Sequence, residues 1–206
     1  MVVNSALLEK ASGFQGSELI VICSTPGKGK TFLALTMAKQ LIFDLLKPVA
    51  FVSLELSKDA LLKRLLKIDD LSAEDIQDVP LYILDTPQMT ILELEKHIRK
   101  AYNEKKIEAA FIDYLGLLHN GNKEQAAHLI KIKTLTAELK IPVFVVCQLT
   151  SLQTLQSLYT DEAYQCVDKF LYLEGKSELT FSKRSTNNDW INEKIQWSLP
   201  LTALIF

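Results

Sequence analysis

Short apolar runs alternate with amphipathic stretches along the first three quarters of the chain. The first run, ELIVIC at residues 18–23, is rich in β-branched side chains, which is typical of a buried strand. It stops at a Thr-Pro-Gly turn, and from Thr31 to about Leu46 apolar residues recur mostly at helical spacings. The pattern predicts a strand, a glycine-rich turn and a helix, in that order.

The same alternation continues through three more strand and helix pairs and ends in a further strand. The predicted strands are Val49–Leu54, Leu81–Asp85, Ala109–Asp113 and Val143–Cys147, and the predicted helices are Ser57–Lys67, Thr90–Asn103 and Glu124–Leu139. Strands that alternate with helices in this way form a parallel sheet with helices on both faces.

The alternation of predicted strands and helices ends after Gln148. A polar stretch, Thr150–Asp168, is followed by a strand at Phe170–Leu173 and by β-like pieces at Glu178–Ser182 and Ile195–Phe206. We expect these late strands to extend one edge of the sheet in antiparallel fashion. The predicted fold class is therefore α/β: a mainly parallel twisted sheet with helices on both faces and late antiparallel edge strands.

Length, composition and charge limit the classes of protein to which the chain can belong. With 206 residues, 48% of them hydrophobic, and no linker-like tract, the chain is expected to form one domain, residues 1–206. Its 23 basic and 25 acidic residues give a net charge of −2, so no overall attraction to nucleic acid or anionic lipid is indicated. No apolar run reaches the roughly 20 residues of a membrane-spanning helix. We therefore expect no membrane partner and a cytoplasmic location.

The turn after the first strand carries the motif STPGKGKT, residues 24–31. Nucleotide phosphates need backbone N–H groups in a turn, a helix N-terminus behind them, a lysine for the outer phosphates and a hydroxyl for Mg²⁺. The motif supplies all of these, so we expect a P-loop that binds ATP and Mg²⁺; a chance Gly-Lys-Thr in a surface loop is the alternative. The predicted nucleotide-binding residues of this loop are Ser24, Thr25, Pro26, Gly27, Lys28, Gly29, Lys30 and Thr31.

Three polar side chains end later strands at the same edge of the predicted sheet. Asp113 follows AAFI and can hold, with Thr31, the water shell of Mg²⁺. Glu55 follows FVSL and can deprotonate a water molecule that attacks the γ-phosphate, although a glutamate there also complements the dipole of the next helix. Gln148 ends VFVVC and is suited to sensing the γ-phosphate, with a solvated strand-end glutamine as the alternative. Open α/β sheets bind ligands at this edge, so the set indicates a site more strongly than any member does.

A late segment, FSKRSTNND, carries two adjacent cations, Lys183 and Arg184. A protruding cation on a hairpin can reach the γ-phosphate of a neighbouring subunit as an arginine finger, and Arg184 is the candidate catalytic residue of this kind. An ordinary basic hairpin tip is the alternative.

Taken together, these segments resemble the RecA-like ATPase domain of replicative DnaB-type hexameric helicases. GFQGSELIVICSTPGKGKTFLALTMAKQL is similar to that family's first strand and Walker A P-loop, and FVSLELSKDALLKRLL to its second motif. AAFIDYLGLL is similar to its Walker B segment, and IPVFVVCQL to the strand that ends in its γ-phosphate sensor. The resemblance implies a RecA-like P-loop NTPase in which Glu55 is the catalytic base and Gln148 the sensor.

The resemblance also implies ATP hydrolysis with Mg²⁺ in DNA replication, by a homo-oligomer that is hexameric in the family and acts on single-stranded DNA. The family's hairpin pairs a lysine and an arginine separated by one residue, whereas Lys183 and Arg184 are adjacent. Which of the two takes the finger position is left open.

Two departures from the family pattern keep a second function open. The family's N-terminal helical domain and linker helix have no counterpart in the 206 residues. The loop after Gln148, residues 149–168, contains no Lys or Arg, although such residues supply most sequence-independent affinity for DNA. The alternative is a nucleotide-binding interaction module that docks onto a replication or recombination protein without translocating DNA. A small-molecule kinase would need an arginine-rich lid, and the arginines of the chain are Arg64, Arg99 and Arg184.

Overall fold

One twisted sheet runs through the part of the chain that the structure, a computed structural model, describes. The described residues are 13–14, 16–68, 71–72, 74–76, 78–118, 124–150, 152–174, 178–185, 187 and 189–196. Within them, eight strands are hydrogen-bonded in the order β3-β2-β4-β5-β1-β6-β7-β8. The strands are β1 (Leu19–Ser24), β2 (Val49–Ser53), β3 (Leu81–Leu84), β4 (Ala109–Asp113), β5 (Val143–Gln148), β6 (Lys169–Leu173), β7 (Glu178–Arg184) and β8 (Trp190–Gln196).

The first six strands are parallel, and β7 and β8 continue the sheet as an antiparallel hairpin. Strand β1 is central, with β5 on one side and β6 on the other. The register places Ser24 opposite Gln148 and Ser53 opposite Asp113, so the carboxyl ends of four strands meet at one edge.

In the described part of the chain, five helices cover the sheet. They are α1 (Lys30–Lys39), which continues as a π-helical turn at Gln40–Asp44, α2 (Lys58–Leu66), α3 (Ile91–Lys105), α4 (Gln125–Leu139) and the short α5 (Leu155–Thr160). Side chains cap three of their N-termini: Ser57 accepts from the Ala60 amide at α2, and Thr90 and Thr154 form reciprocal capping boxes at α3 and α5.

Alternate residues of each central strand enter two separate cores, one on each face of the sheet. In β1, Val21 and Cys23 join the core beneath α3 and α4, whereas Ile20 and Ile22 join the core beneath α1 and α2. In the second core, three phenylalanines at one level of β2, β4 and β5 are stacked, with ring centroids 5.7 and 4.4 Å apart; they are Phe51, Phe111 and Phe144. Burial on both faces explains why these strands read as continuous apolar runs.

The predicted α/β class and the mainly parallel sheet are confirmed. The late strands differ in detail, because β6 is parallel to β1 and only β7 and β8 are antiparallel. A parallel neighbour requires a crossover of about a dozen residues or more, and residues 149–168 supply it. The last strand is Trp190–Gln196 rather than a piece beginning at Ile195; residues 197–206 lie outside the described residues.

The stretch predicted only as polar, Thr150–Asp168, contains α5 and a 3-10 turn at Glu162–Tyr164. Its apolar side chains at four positions are buried against the sheet: Leu155, Leu158, Tyr164 and Val167. Among the described residues, no helix is both long and apolar enough to cross a membrane.

Candidate functional site

The loop between β1 and α1 has the backbone shape of a phosphate cradle. Gly27 has φ 72° and Gly29 has φ 91°, a left-handed conformation that glycine adopts without a Cβ penalty. Gly29 caps α1 through its backbone, with its carbonyl 2.9 Å from the Leu33 amide, and the first turn of α1 holds no acidic residue. The backbone N–H groups of the first turn and the positive end of the helix dipole therefore face the loop, where they can bind an anion.

Lys30 lies inside this loop with its ammonium largely withdrawn from solvent. The side chain is 9% exposed, and its Nζ donates to the Thr25 carbonyl oxygen at 3.2 Å. Burial lowers the pKa of Lys30, while the carboxylates of Asp113 and Glu55 act in the opposite direction. A cation that has lost its water and gained few protein partners is suited to binding a phosphate oxygen.

Asp113 ends β4 beneath the same loop and is 1% exposed. Neither of its carboxylate oxygens has a hydrogen-bond partner within bonding geometry, although the Thr31 hydroxyl faces it closely enough to lower its pKa. Burial outweighs that contribution and raises the pKa of Asp113 to about 6, assisted by the nearby charge of Glu55. A buried carboxylate with two unused oxygens beside a threonine hydroxyl fits the oxygen ligands that Mg²⁺ and its water shell require.

Glu55 lies in the bend after β2, not within the strand, and its side chain is exposed. The bend is fixed by Ser53, whose Oγ donates to the Leu56 carbonyl at 2.7 Å and accepts from the Leu56 amide at 3.0 Å. The Leu54 amide also donates to the Asp113 carbonyl at 2.7 Å, which ties the ends of β2 and β4 together. Glu55 is thereby held near Asp113, with its side chain exposed to solvent.

Gln148 ends β5 directly opposite Ser24, and its side chain is exposed while the five residues before it are buried. The next amide, Leu149 N–H, donates to the Ser24 carbonyl at 2.9 Å and holds the strand end against the loop between β1 and α1. A cleft of about 810 Å³ opens here between Pro26 and Tyr114. The Gln148 amide therefore lies in an open space beside the phosphate loop.

Arg184 is the one predicted site residue that the structure does not bring to this edge. Lys169 of β6 pairs with Ile20 of β1 on one side and with Lys183 of β7 on the other. Arg184 is therefore roughly 16 Å from Ser24 along the strand direction, counted as five residues of strand rise. Lys183 beside it is exposed, whereas Arg184 is half-buried.

Two residues of the site escaped the sequence analysis. Ser53 shapes the bend that presents Glu55, and the signal for it was a serine at the end of an otherwise apolar strand. Arg64 of α2 lies close enough to lower the pKa of Asp113, and the sequence offered no signal for this because α2 reaches the site only through its packing on the sheet.

The raised pKa of Asp113 predicts a stability change in the nucleotide-free protein. An unfolded aspartate titrates near pH 4 and the folded Asp113 near pH 6, so between these values only the folded state keeps the proton. The free energy of unfolding therefore falls as the pH rises through this window, by up to about 3 kcal/mol. Asp113→Asn removes this loss, and we expect the variant without nucleotide to melt about 6–12 °C higher than wild type at pH 7.5.

Thermal melts at several pH values measure this effect. The difference between wild type and Asp113→Asn should shrink towards pH 4, and Asp44→Asn, at an exposed aspartate, should show no such pH dependence. Equal melting temperatures of wild type and Asp113→Asn at pH 7.5 would contradict the raised pKa.

Comparison with known proteins places the chain in a family. Residues 4–71 and 67–156 match the sequence profile described as DnaB-like helicase C terminal domain. Replicative DNA helicase DnaB of Treponema pallidum (strain Nichols) is 36% identical over 171 residues, which are 70% of this chain and 39% of that protein. Replicative DNA helicase DnaB of Nostoc sp. (strain PCC 7120 / SAG 25.82 / UTEX 2576) is 31% identical over 166 residues, 68% of this chain and 19% of that protein. The chain thus spans well under half the length of these relatives.

Solved structures share the fold at low sequence identity. One structure, described as an ATPase domain, superposes with a TM-score of 0.71 at 18% identity, over 89% of this chain and 82% of that one. A DnaB-like replicative helicase, solved in a study of its interactions with primase, gives a TM-score of 0.69 at 19% identity, over 89% of this chain and 57% of that one. The eight-stranded sheet and its helices therefore have the RecA-like ATPase fold.

Proposed function

Because this chain belongs to the family of DnaB-like helicase C-terminal domains, we propose that it binds ATP with Mg²⁺ and hydrolyses the γ-phosphate as the motor domain of a replicative helicase. The observation that carries the proposal is the convergence of four strand ends on one edge. There the glycine-shaped loop, the desolvated Lys30, the unpartnered Asp113 and two exposed polar side chains, Glu55 and Gln148, lie together. We also propose that residues 1–206 act as one such domain, since a single sheet joins the described elements.

In the proposed site, the backbone N–H groups of residues 24–31 and the ammonium of Lys30 bind the phosphates. Thr31 and Asp113 would hold Mg²⁺, directly or through its water shell. When bound, Mg²⁺ neutralises charge on the outer phosphates. Lys30 leaves the Thr25 carbonyl to bind the phosphate oxygens, a better acceptor for a buried cation.

Glu55 is the proposed general base for the attacking water. Its carboxylate is exposed, so water reaches it, and the hydrogen bonds of Ser53 fix the bend that carries it. Gln148 is the proposed γ-phosphate sensor, because its amide can both donate to a phosphate oxygen and accept from the water molecule. Its attachment to Ser24 through the Leu149 amide couples the sensor to the loop.

Arg184 is proposed to act on a neighbouring subunit, since the sheet holds it away from the P-loop of its own chain. This role requires a homo-oligomer, for which the hexamer of the family is the expected form. A finger contributed in trans raises turnover by as much as 10³–10⁵-fold in known phosphoryl-transfer enzymes.

The lack of basic side chains in the crossover favours a second candidate function. Residues 152–168 are packed on the sheet and carry no Lys or Arg. They therefore lack the side chains that usually bind the phosphates of single-stranded DNA. The second candidate is a nucleotide-binding module that docks onto a replication or recombination protein without moving along DNA.

The test is ATP turnover by the purified protein with and without single-stranded DNA, with its mass measured by light scattering in Mg·ATP. A motor domain is expected to be oligomeric and to hydrolyse ATP faster when DNA is added, in a salt-sensitive manner. A monomer that binds ATP with no stimulation by DNA would support the second candidate instead. A protein with no measurable affinity for ATP would contradict both.

A further inference from the structure

Local hydrogen bonds order the described part of the crossover that follows Gln148. The Thr150 amide donates to Gln153 Oε1 at 3.0 Å, and the Gln153 amide donates to the Thr150 carbonyl at 3.2 Å. Thr154 and Ser157 follow as the capping box of α5. Leu155 and Leu158 are 4% and 1% exposed, so α5 is anchored to the sheet rather than free in solution.

Tyr159, in α5, fastens this segment to the β7–β8 hairpin. Its hydroxyl donates to Asn192 Oδ1 at 2.6 Å and lies 2.8 Å from Ser182 Oγ, whose own hydroxyl can donate to it. Its ring is stacked on the Trp190 ring, with centroids 4.6 Å apart and planes at 12°. The contact thus combines two hydrogen bonds with a stacked aromatic pair between residues far apart in the sequence.

Trp190 of this aromatic pair also contacts Arg184. The guanidinium carbon lies 4.9 Å from the centroid of the Trp190 ring, which is a cation–π geometry. Nη2 of Arg184 donates to the Gln165 carbonyl at 3.0 Å, and Nε2 of Gln165 donates to the Tyr159 carbonyl at 3.1 Å. The position of Arg184 is therefore set by the segment that begins at the sensor strand.

We propose that Tyr159 and Trp190 are positioning residues for Arg184. Through them, the position of Arg184 depends on whether Gln148 of the same chain contacts a γ-phosphate. The inference rests on the proposed function, in which Gln148 contacts the γ-phosphate and Arg184 serves the next subunit. A packed and hydrogen-bonded segment moves as a unit, so a change at the end of β5 shifts Tyr159 and, through the stack, Trp190 and Arg184. A misplacement of about 1 Å in a group that stabilises a transition state can cost about 100-fold in rate.

Tryptophan fluorescence tests the coupling without requiring oligomers. The two tryptophans of the chain are Trp190 and Trp197, so Trp197→Phe leaves Trp190 as the only tryptophan, stacked on Tyr159. Mg·AMP-PNP is expected to change its emission by tens of per cent, and Mg·ADP by less than a third as much. Adding Gln148→Ala to this variant should remove the difference between the two nucleotides.

Binding of each nucleotide is measured separately by displacement of a fluorescent ATP analogue, so that the two proposals can fail separately. Equal Trp190 emission in the two complexes, with both nucleotides bound, would overturn this inference alone. Absence of any nucleotide binding would overturn the proposed function together with the inference.

Turnover of variants tests the positioning role. Trp190→Leu removes the stack and is expected to lower kcat by about 10–100-fold with KM within threefold, whereas Trp190→Phe, which keeps a stacking ring, should recover most of the loss. Tyr159→Phe keeps the stack but loses the hydrogen bonds to Ser182 and Asn192. Its kcat should lie between those of Trp190→Leu and Trp190→Phe. Tyr102→Phe, in α3, is the matched control. A cooperatively folded Trp190→Leu protein with kcat within threefold of wild type would overturn the inference, as would a Trp190→Phe variant no better than Trp190→Leu.

Discussion

Glu55→Gln is expected to lower the turnover number for ATP by about 10²–10⁴-fold and to leave the Kd for Mg·ATP within about threefold of wild type. Glutamine keeps the shape of the side chain but cannot accept a proton from the attacking water. Glu55 is exposed and lies in a bend fixed by Ser53, so the substitution removes no buried contact. Steady-state hydrolysis measures the first quantity, and titration with a fluorescent ATP analogue measures the second.

A matched control separates loss of the base from loss of a surface charge. Glu104→Gln changes an exposed glutamate of α3 and should leave turnover unchanged. If Glu55→Gln hydrolyses ATP at the wild-type rate, Glu55 is not the base.

Lys30→Ala is expected to weaken binding of Mg·ATP at least about 100-fold, which corresponds to about 2.7 kcal/mol. The side chain is 9% exposed and its Nζ hydrogen-bonds to the Thr25 carbonyl, so much of the cost of removing the ammonium from water is met before the phosphate arrives. Its loss leaves the outer phosphates without a desolvated cation. The Kd from the same fluorescence titration is the measurement.

The melting temperature distinguishes loss of binding from loss of fold. Burial lowers the pKa of Lys30, which means that its charge is held at a cost in the nucleotide-free protein. Lys30→Ala should therefore melt no lower than wild type without nucleotide and gain little from added Mg·ATP. Lys58→Ala, at an exposed lysine of α2, should bind as wild type does. Wild-type affinity in Lys30→Ala would mean that the loop is not the phosphate site.

The elements that bury apolar runs on both faces were predictable almost to the residue. Strand β4 is Ala109–Asp113 as predicted; β2 and β5 differ from their predictions by one residue at one end, and β1 differs by one residue at each end. These strands lie inside the sheet, so almost every side chain had to be apolar, and each apolar run ends at a polar residue near the carboxyl edge. The polar residues at those stops, Asp113 and Gln148, were visible for the same reason.

The late strands were less predictable because pairing with neighbouring strands, rather than a local apolar pattern, stabilises their extended conformation. In β8, WINEKIQ, Ile195 is buried and most of the other described side chains are exposed. Its extended conformation comes from the seven-residue register with β7, which no local pattern records. The apolar residues from Ile195 onward instead predicted a strand at residues 195–206.

Helix α5 was missed for a related reason. Its six residues are too few to give a helical period, and its capping box pairs Thr154 with a serine, Ser157, rather than with the usual Glu or Gln. The packing of Leu155 and Leu158 on the sheet stabilises it, and that packing exists only in the folded chain.

The sequence by itself determined the order of strands and helices along the chain, the glycine-rich loop after β1 and the polar residues at the carboxyl ends of the strands, because glycine positions and runs of apolar side chains are local features of the sequence. The tertiary structure alone decided the rest. It removed Asp113 from solvent without giving its carboxylate a hydrogen bond, held Glu55 in the bend made by Ser53, and stacked Tyr159 on Trp190 beside Arg184. Burial and contact between distant residues depend on how strands pair and helices pack, and those quantities are fixed only when the whole sheet has formed.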